Sequence, residues 1–266
     1  MNASAPAPDS RVLVDRDGEI ATVTLNNPDK LNALDLAAFR RLGEVVRELD
    51  ADESLRCVVV RGAGDRAFAS GADISAFERE RANLEQARVF GEQVHATMTV
   101  LQACRHPTIA LIKGVCVGGG LEVACTLDMR ICGRSSRFGV PIKNLGLTVG
   151  YGELKGLMAL TGPAGALEIL LEGRVFGTDD ALRLGLVNRV VPDETVEEEV
   201  YAAARRIADG APLAARWHKK FVRRLLEPRP LTPEEIDEGF HSLGTEDYQT
   251  GVRAFLAKEK PRFRGR

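Results

Sequence analysis

The sequence predicts an α/β protein. Three observations carry that expectation: apolar strand patterns alternate with helical ones up to about Val190, two of the strands lead straight into glycine-rich segments, and beyond Val190 only helical spacing remains. Residues 11–25 alternate apolar and polar on either side of Asp15-Arg16-Asp17-Gly18, the pattern of a hairpin. Asp35 is placed to cap a helix in which Leu36, Phe39, Leu42, Val46 and Leu49 recur every three or four residues. A buried strand follows at 57–60. Phe90, Val94, Met98 and Leu101 then mark a second helix, which leads past Pro107 into the apolar strand 108–112. Both strands run into glycine-rich segments, GAGDRAFASGAD after the first and GVCVGGGLE after the second, so function is expected at the strand ends. In the last third, Val196, Val200, Ala203 and Ile207, then Leu213, Trp217, Phe221 and Leu225, keep helical spacing, the expected pattern of core or subunit interface. Thr232-Pro233-Glu234-Glu235 reads as a capping box with proline in the first turn. The expected organisation is a disordered leader over 1–10, a core over 11–190 and a helical region over 191–266.

Composition narrows the function classes. With 266 residues, 44% hydrophobic, and Lys+Arg 36 against Asp+Glu 38, the chain can bury a large core, and its net charge of -2 gives no general attraction to nucleic acid or an anionic membrane. No uninterrupted apolar run approaches the roughly 20 residues of a membrane span. The first ten residues lack the basic and apolar regions of a signal peptide, which points to the cytoplasm. The five cysteines have no zinc spacing and sit among apolar residues, so they read as reduced core thiols, and no metal site is expected. The four histidines lack an HExxH or GxSxG companion, which removes the usual signatures of catalytic zinc and serine hydrolysis.

The strongest local signal is Gly118-Gly119-Gly120-Leu121-Glu122. Glycines after a strand let backbone amides approach a ligand where the following helix begins, and negative charge developing there would be stabilised. It matches neither a P-loop nor GxGxxG. For the bare glycines alone, a close-packed turn without a ligand is the favoured reading. Glu122 sits in an otherwise apolar helical stretch, either as a dipole-stabilising cap or as a working acid/base; the helix terminus lowers its pKa and burial raises it. The small-residue segment 67–74 leaves room for a second main-chain donor. Two such donors converging on one oxygen would form an oxyanion hole.

Five segments in order, N26-N27-P28-x-K30-x-N32-A33-L34, A67-F68-A69-S70-G71-A72-D73-I74, G114-V-C-V-G-G-G-L-E122, F138-G139-V140-P141 and G173-R174 with A181 and G185-L186-V187, resemble the crotonase (enoyl-CoA hydratase/isomerase) superfamily. The resemblance covers about Arg11 to the C-terminus. It implies a spiral of ββα units with a C-terminal helical region, an acyl-CoA thioester as substrate, and coenzyme A carried within that substrate, with no separate cofactor. It also implies a homotrimer or dimer of trimers. Motif matching gives Ala72 and Gly119 as the two N–H donors to the thioester oxygen, and Glu122 as the acid/base. It places Lys30, Ala69, Gly71 and Asp73 on the coenzyme side, with Phe255 and Lys258 lent to the adenine and phosphate end by a neighbouring subunit.

One departure stands out. Relatives that hydrate enoyl-CoA generally carry a second glutamate after F-G-x-P, whereas this chain has Ile142, which can neither donate nor accept a proton. Glu153 or Tyr151 could enter the pocket instead, although Glu153 reads better as a helix-start residue and Tyr151 as part of the acyl-pocket wall. Water addition to a 2-enoyl-CoA remains the expected reaction. Isomerisation, decarboxylation of a malonyl-type ester, or non-catalytic binding of acyl-CoA or RNA are the alternatives, the RNA role being disfavoured by the balanced charge.

Overall fold

Val12–Asp17 (β1) and Ile20–Leu25 (β2) form the expected hairpin, turned at Gly18 with φ 57. The computed structural model describes residues 10–266, so of the expected leader only Ser10 falls within the described residues. The Asp35 side chain accepts a hydrogen bond from Ala38 N and caps α1 (Leu36–Ala51), whose apolar stripe turns Phe39, Leu42 and Val46 into the core. Next come β3 (Cys57–Gly62), β4 (Ala67–Ala69), α2 (Phe77–Glu80) and α3 (Leu84–Ala103). The same order repeats as β5 (Thr108–Ile112), β6 (Val115–Val117) and α4 (Gly119–Thr126). It repeats again as β7 (Met129–Gly133), β8 (Arg137–Gly139) and α5 (Tyr151–Glu172). The chain continues with α6 (Thr178–Arg183), β9 (Arg189–Val191), α7 (Val196–Ala208), α8 (Pro212–Leu225), α9 (Pro233–Glu238) and α10 (Glu246–Ala257).

In each repeat the first strand joins one sheet and the second joins another. The large sheet runs β1-β2-β3-β5-β7-β9, antiparallel only at the hairpin; the small one runs β4-β6-β8, all parallel. This is the spiral of ββα units that the resemblance implied. The segments read as glycine-rich loops each contain a three-residue strand, too short to show a period of its own.

The large sheet is covered on both sides, which explains its unbroken apolar runs. Val58, Val60, Ala110 and Ile112 face a core shared with α1, α3 and α4, while Cys57, Val59, Ile109 and Leu111 face a second core built with Val196, Val200 and Ala203 of α7. The first helix of the C-terminal region therefore completes the sheet. All five cysteines are buried free thiols. His95, His218 and His241 are exposed; His106 is buried, with neither ring nitrogen partnered, and burial pushes its pKa down to about 4, so it stays neutral. Helix α5 is long and apolar enough to cross a membrane by composition, but Gly162 (φ 66) and Pro163 break it, and Gly156, Leu157, Ala166 and Ile169 are buried.

Candidate active site

The asparagine-rich segment before α1 is a scaffold for the first small-residue loop. Asn32, buried and with φ 57, accepts from Asn27 N through Oδ1 (3.0 Å) and donates through Nδ2 to Ala63 O (3.1 Å) and Ala67 O (2.8 Å). Residues 70–73 then pair with residues 31–34: Ser70 N donates to Leu31 O (3.0 Å), Leu34 N to Gly71 O (2.8 Å) and Asp73 N to Leu34 O (2.9 Å). In this parallel bridge Leu34 uses the groups flanking Ala72, so the Ala72 N–H is turned away from its partner strand and has no acceptor among the described residues.

The second donor comes from the triple glycine. Gly118 takes φ 53, which L side chains rarely adopt, and Gly120 lies so close to β4 that a Cβ there would stand 2.2 Å from Ala69 O. Gly119 is the first residue of α4, so its N–H is one of the helix's unpaired donors, and it too has no acceptor among the described residues. A Cβ built on Gly119 would lie 3.6 Å from Ala72 N, and one built on Gly71 would lie 3.5 Å from Gly119 N. The two loops thus meet with both amides free, at the positive end of α4.

The opposite end of α4 is held by a buried cation. Arg130 donates from Nη1 to Leu127 O (2.6 Å) and Ala124 O (3.2 Å), and from Nε to Leu186 O (2.7 Å), at 2% exposure. A cation among C-terminal carbonyls fixes the helix that carries Gly119 and Glu122. Arg130→Met is expected to strand these carbonyls and lower the unfolding free energy by about 3 kcal/mol or more, as measured by urea denaturation. A loss under about 1 kcal/mol would show the carbonyls to be satisfied otherwise.

Glu122 stands one turn beyond Gly119 in the same cavity, which measures about 290 Å³. Its side chain keeps intermediate accessible surface, but that exposure opens into a pocket, and the surrounding protein density is that of an interior. Burial therefore pushes the carboxyl up to about 7; the charge of Glu153 adds to the rise and Arg81 opposes it. No hydrogen bond or ion pair within 4 Å engages the Glu122 carboxyl among the described residues. Phe39, Phe90, Val94, Ile142, Leu145 and Leu147 supply the apolar walls.

The structure brings Gly71, Ala72, Gly119 and Glu122 together. Ala69 lies fully buried beneath them, packed on Gly120. Lys30 Nζ binds Asp73 Oδ2 and Ser75 Oγ, both at 2.7 Å. Against the pull of burial, the hydrogen bonds donated to it by Lys30 and by the Ser75 hydroxyl (2.6 Å) and N–H (3.0 Å) hold the Asp73 carboxyl below the usual range. Phe255, exposed at 83%, and Lys258 do not line this pocket in one chain; Phe255 borders a separate groove with Trp217 and His218. A larger cavity of about 960 Å³ beneath α8 and α9 shares no lining residue with the glycine loops.

Ile142 does face the pocket, so the wall where a second carboxylate was expected is hydrocarbon. Neither substitute reaches it. Tyr151, expected in the acyl wall, is 95% exposed at the start of α5, because the helix turns it outward. Glu153 is buried in the first turn of α5, folded against Gly150, and acts on Glu122 through its charge alone. Sequence reasoning missed Arg81, which lines the pocket with its guanidinium 3.7 Å from the Phe90 ring centre and 4.5 Å from that of Phe77. Nothing in the polar run E78-R-E-R81 separates it from a solvated surface arginine.

Comparison with known proteins agrees with this architecture. A family model described as enoyl-CoA hydratase/isomerase matches residues 15–266. The chain is 32% identical to a short-chain-enoyl-CoA hydratase of Clostridium acetobutylicum, over 94% of this chain and 96% of that one. It is likewise 32% identical to a crotonyl-CoA hydratase of Syntrophomonas wolfei, over 95% and 97%. The crystal structure of an enoyl-CoA hydratase/carnithine racemase from Magnetospirillum magneticum superposes with a TM-score of 0.94 at 48% identity, covering 96% of each chain.

Proposed function

This chain belongs to the enoyl-CoA hydratase/isomerase family, and from that premise we propose that it adds water across the double bond of a 2-enoyl-CoA thioester in the pocket between its two glycine loops. The observation that carries the reading is the pair of unpartnered amides, Ala72 N–H and Gly119 N–H, meeting beside a carboxyl poised near neutrality. In the proposed reaction the thioester oxygen sits between the amides. The Glu122 carboxylate accepts a proton as water oxygen bonds to the β-carbon. Electron density moves onto the thioester oxygen, where the donors and the α4 terminus stabilise the enolate. Glu122 then returns the proton to the α-carbon. One carboxylate thus serves both proton steps, with Ile142 contributing only shape. Hydration is redox-neutral and asks for no cofactor beyond the coenzyme A of the substrate.

Lys30, Asp73 and the backbone at Gly71 form the proposed coenzyme side of the pocket. Val222, Leu225, Phe240, Phe255 and Leu256 expose apolar surface in the C-terminal region, Phe240 from the turn after α9 and the others from α8 and α10, which supports a trimer or dimer of trimers in which Phe255 and Lys258 serve a neighbouring site. Purified protein given short 2-enoyl-CoA esters should yield the 3-hydroxyacyl product. Consumption of 3-enoyl esters without water addition, or CO2 release from a malonyl-type ester, would replace hydration with a reaction that needs no second carboxylate. The hydrocarbon wall at Ile142 favours keeping those two assays in the panel.

A further inference from the structure

Arg81 poses a physical problem that the hydration chemistry leaves unsolved. Its Nε is fully buried with no hydrogen-bond partner, and no carboxylate lies within 4 Å of its guanidinium among the described residues. Burial pushes its pKa down, while Glu122, Glu80 and Glu153 counter from a distance. Two phenyl faces hold it in place, and Phe90 in turn packs edge-on against Phe39, 5.9 Å between centres, beside Gly119. Stacking on rings leaves the in-plane N–H groups of a guanidinium available, and a planar fork of donors fits a carboxylate. The cavity that Arg81 lines is small, at the lower end of the roughly 300–1,000 Å³ of ligand pockets. A short acyl group bound at the amides therefore shares its space with a partly buried cation that has no ion-pair partner among the described residues.

Resting on the acyl-CoA reading above, we infer that the preferred substrate is a short 2-enoyl thioester whose acyl chain ends in a carboxylate, received by Arg81. An unpaired cation penalises a methyl terminus, because seating hydrocarbon against it removes water and returns no hydrogen bond. A carboxylate terminus reverses that penalty and becomes a specificity device, since a site built to pair a charge rejects the analogue lacking it.

The test uses two matched pairs of five-carbon esters with the full-length protein. Calorimetry compares the saturated thioester ending in a carboxylate with the one ending in methyl, which measures recognition without turnover. Kinetics compares the corresponding 2-enoyl esters. Wild type should prefer the carboxylate ester at least tenfold in both Kd and kcat/KM. Arg81→Met should abolish that ratio and Arg81→Lys should retain part of it, with melting temperatures confirming that each variant folds. A wild-type ratio of one or below, or a ratio that Arg81→Met leaves unchanged, overturns the inference and makes Arg81 only a counter-charge for Glu122. A tenfold binding preference lost in Arg81→Met, without turnover of either enoyl ester, upholds the carboxylate site and overturns hydration instead.

Discussion

Glu122→Gln should lower kcat for hydration of a 2-enoyl-CoA ester by about 10²–10⁴, with KM changed only a few-fold, because the amide keeps the shape of the carboxyl and loses its proton chemistry. The pH profile identifies the group. Water activation requires the carboxylate, and burial raises the Glu122 carboxyl to about 7, so wild-type kcat/KM should fall tenfold per pH unit below that value and level off above it. The glutamine variant should show no such limb. Stability should move the opposite way. A carboxyl whose folded pKa lies above its unfolded value binds the extra proton in the native state, so its favourable contribution is complete below about pH 4 and is lost as pH rises through 7. Glu122→Gln should therefore be more stable than wild type at pH 8 and equal to it near pH 4, as read by denaturant unfolding. An active variant with an unchanged acid limb would remove Glu122 from the mechanism.

The parts of this site that could be read from sequence are those where backbone geometry demands a residue type. Gly118 and Gly120 answer a positive φ and a close approach to Ala69, and Asp35 answers an unpaired helix terminus. The hairpin and strands β3 and β5 of the large sheet declared themselves through apolar patterning, whereas β7 and β9 did not. The small sheet did not, since Ala67–Ala69, Val115–Val117 and Arg137–Gly139 span only three residues each and draw their stability from neighbours distant in sequence. Orientation was also hidden. Tyr151 and Glu153 are two residues apart on one helix, yet one is exposed and the other buried, and only packing of α5 decides which. Arg81 was the hardest to see, because a charge acquires meaning from the rings and carboxylates that the fold places around it.

Gly119→Pro should reduce kcat/KM by about 10²–10³ while leaving the fold intact, the loss expected on deleting one oxyanion donor. The site allows this amide to be removed by itself. Gly119 occupies the first position of α4, where proline is well tolerated, and its N–H bonds to no acceptor among the described residues, so no internal hydrogen bond is broken. A Cβ there would meet Phe39 Cζ at 3.5 Å and Ala72 N at 3.6 Å, ordinary contacts. The proline ring closes on the nitrogen and occupies the space in which the thioester oxygen would accept its bond. Gly119→Ala is the matched control: it adds the same Cβ and keeps the donor, so it should retain at least tenfold more activity than the proline variant. Equal activity of the two, in proteins with wild-type melting temperatures, would mean that this amide carries none of the developing charge. The oxygen would then have to be held by Ala72 and the α4 dipole alone. A proline variant that still binds the saturated thioester but no longer turns over the enoyl ester would place the loss at the transition state, where charge on the oxygen is greatest.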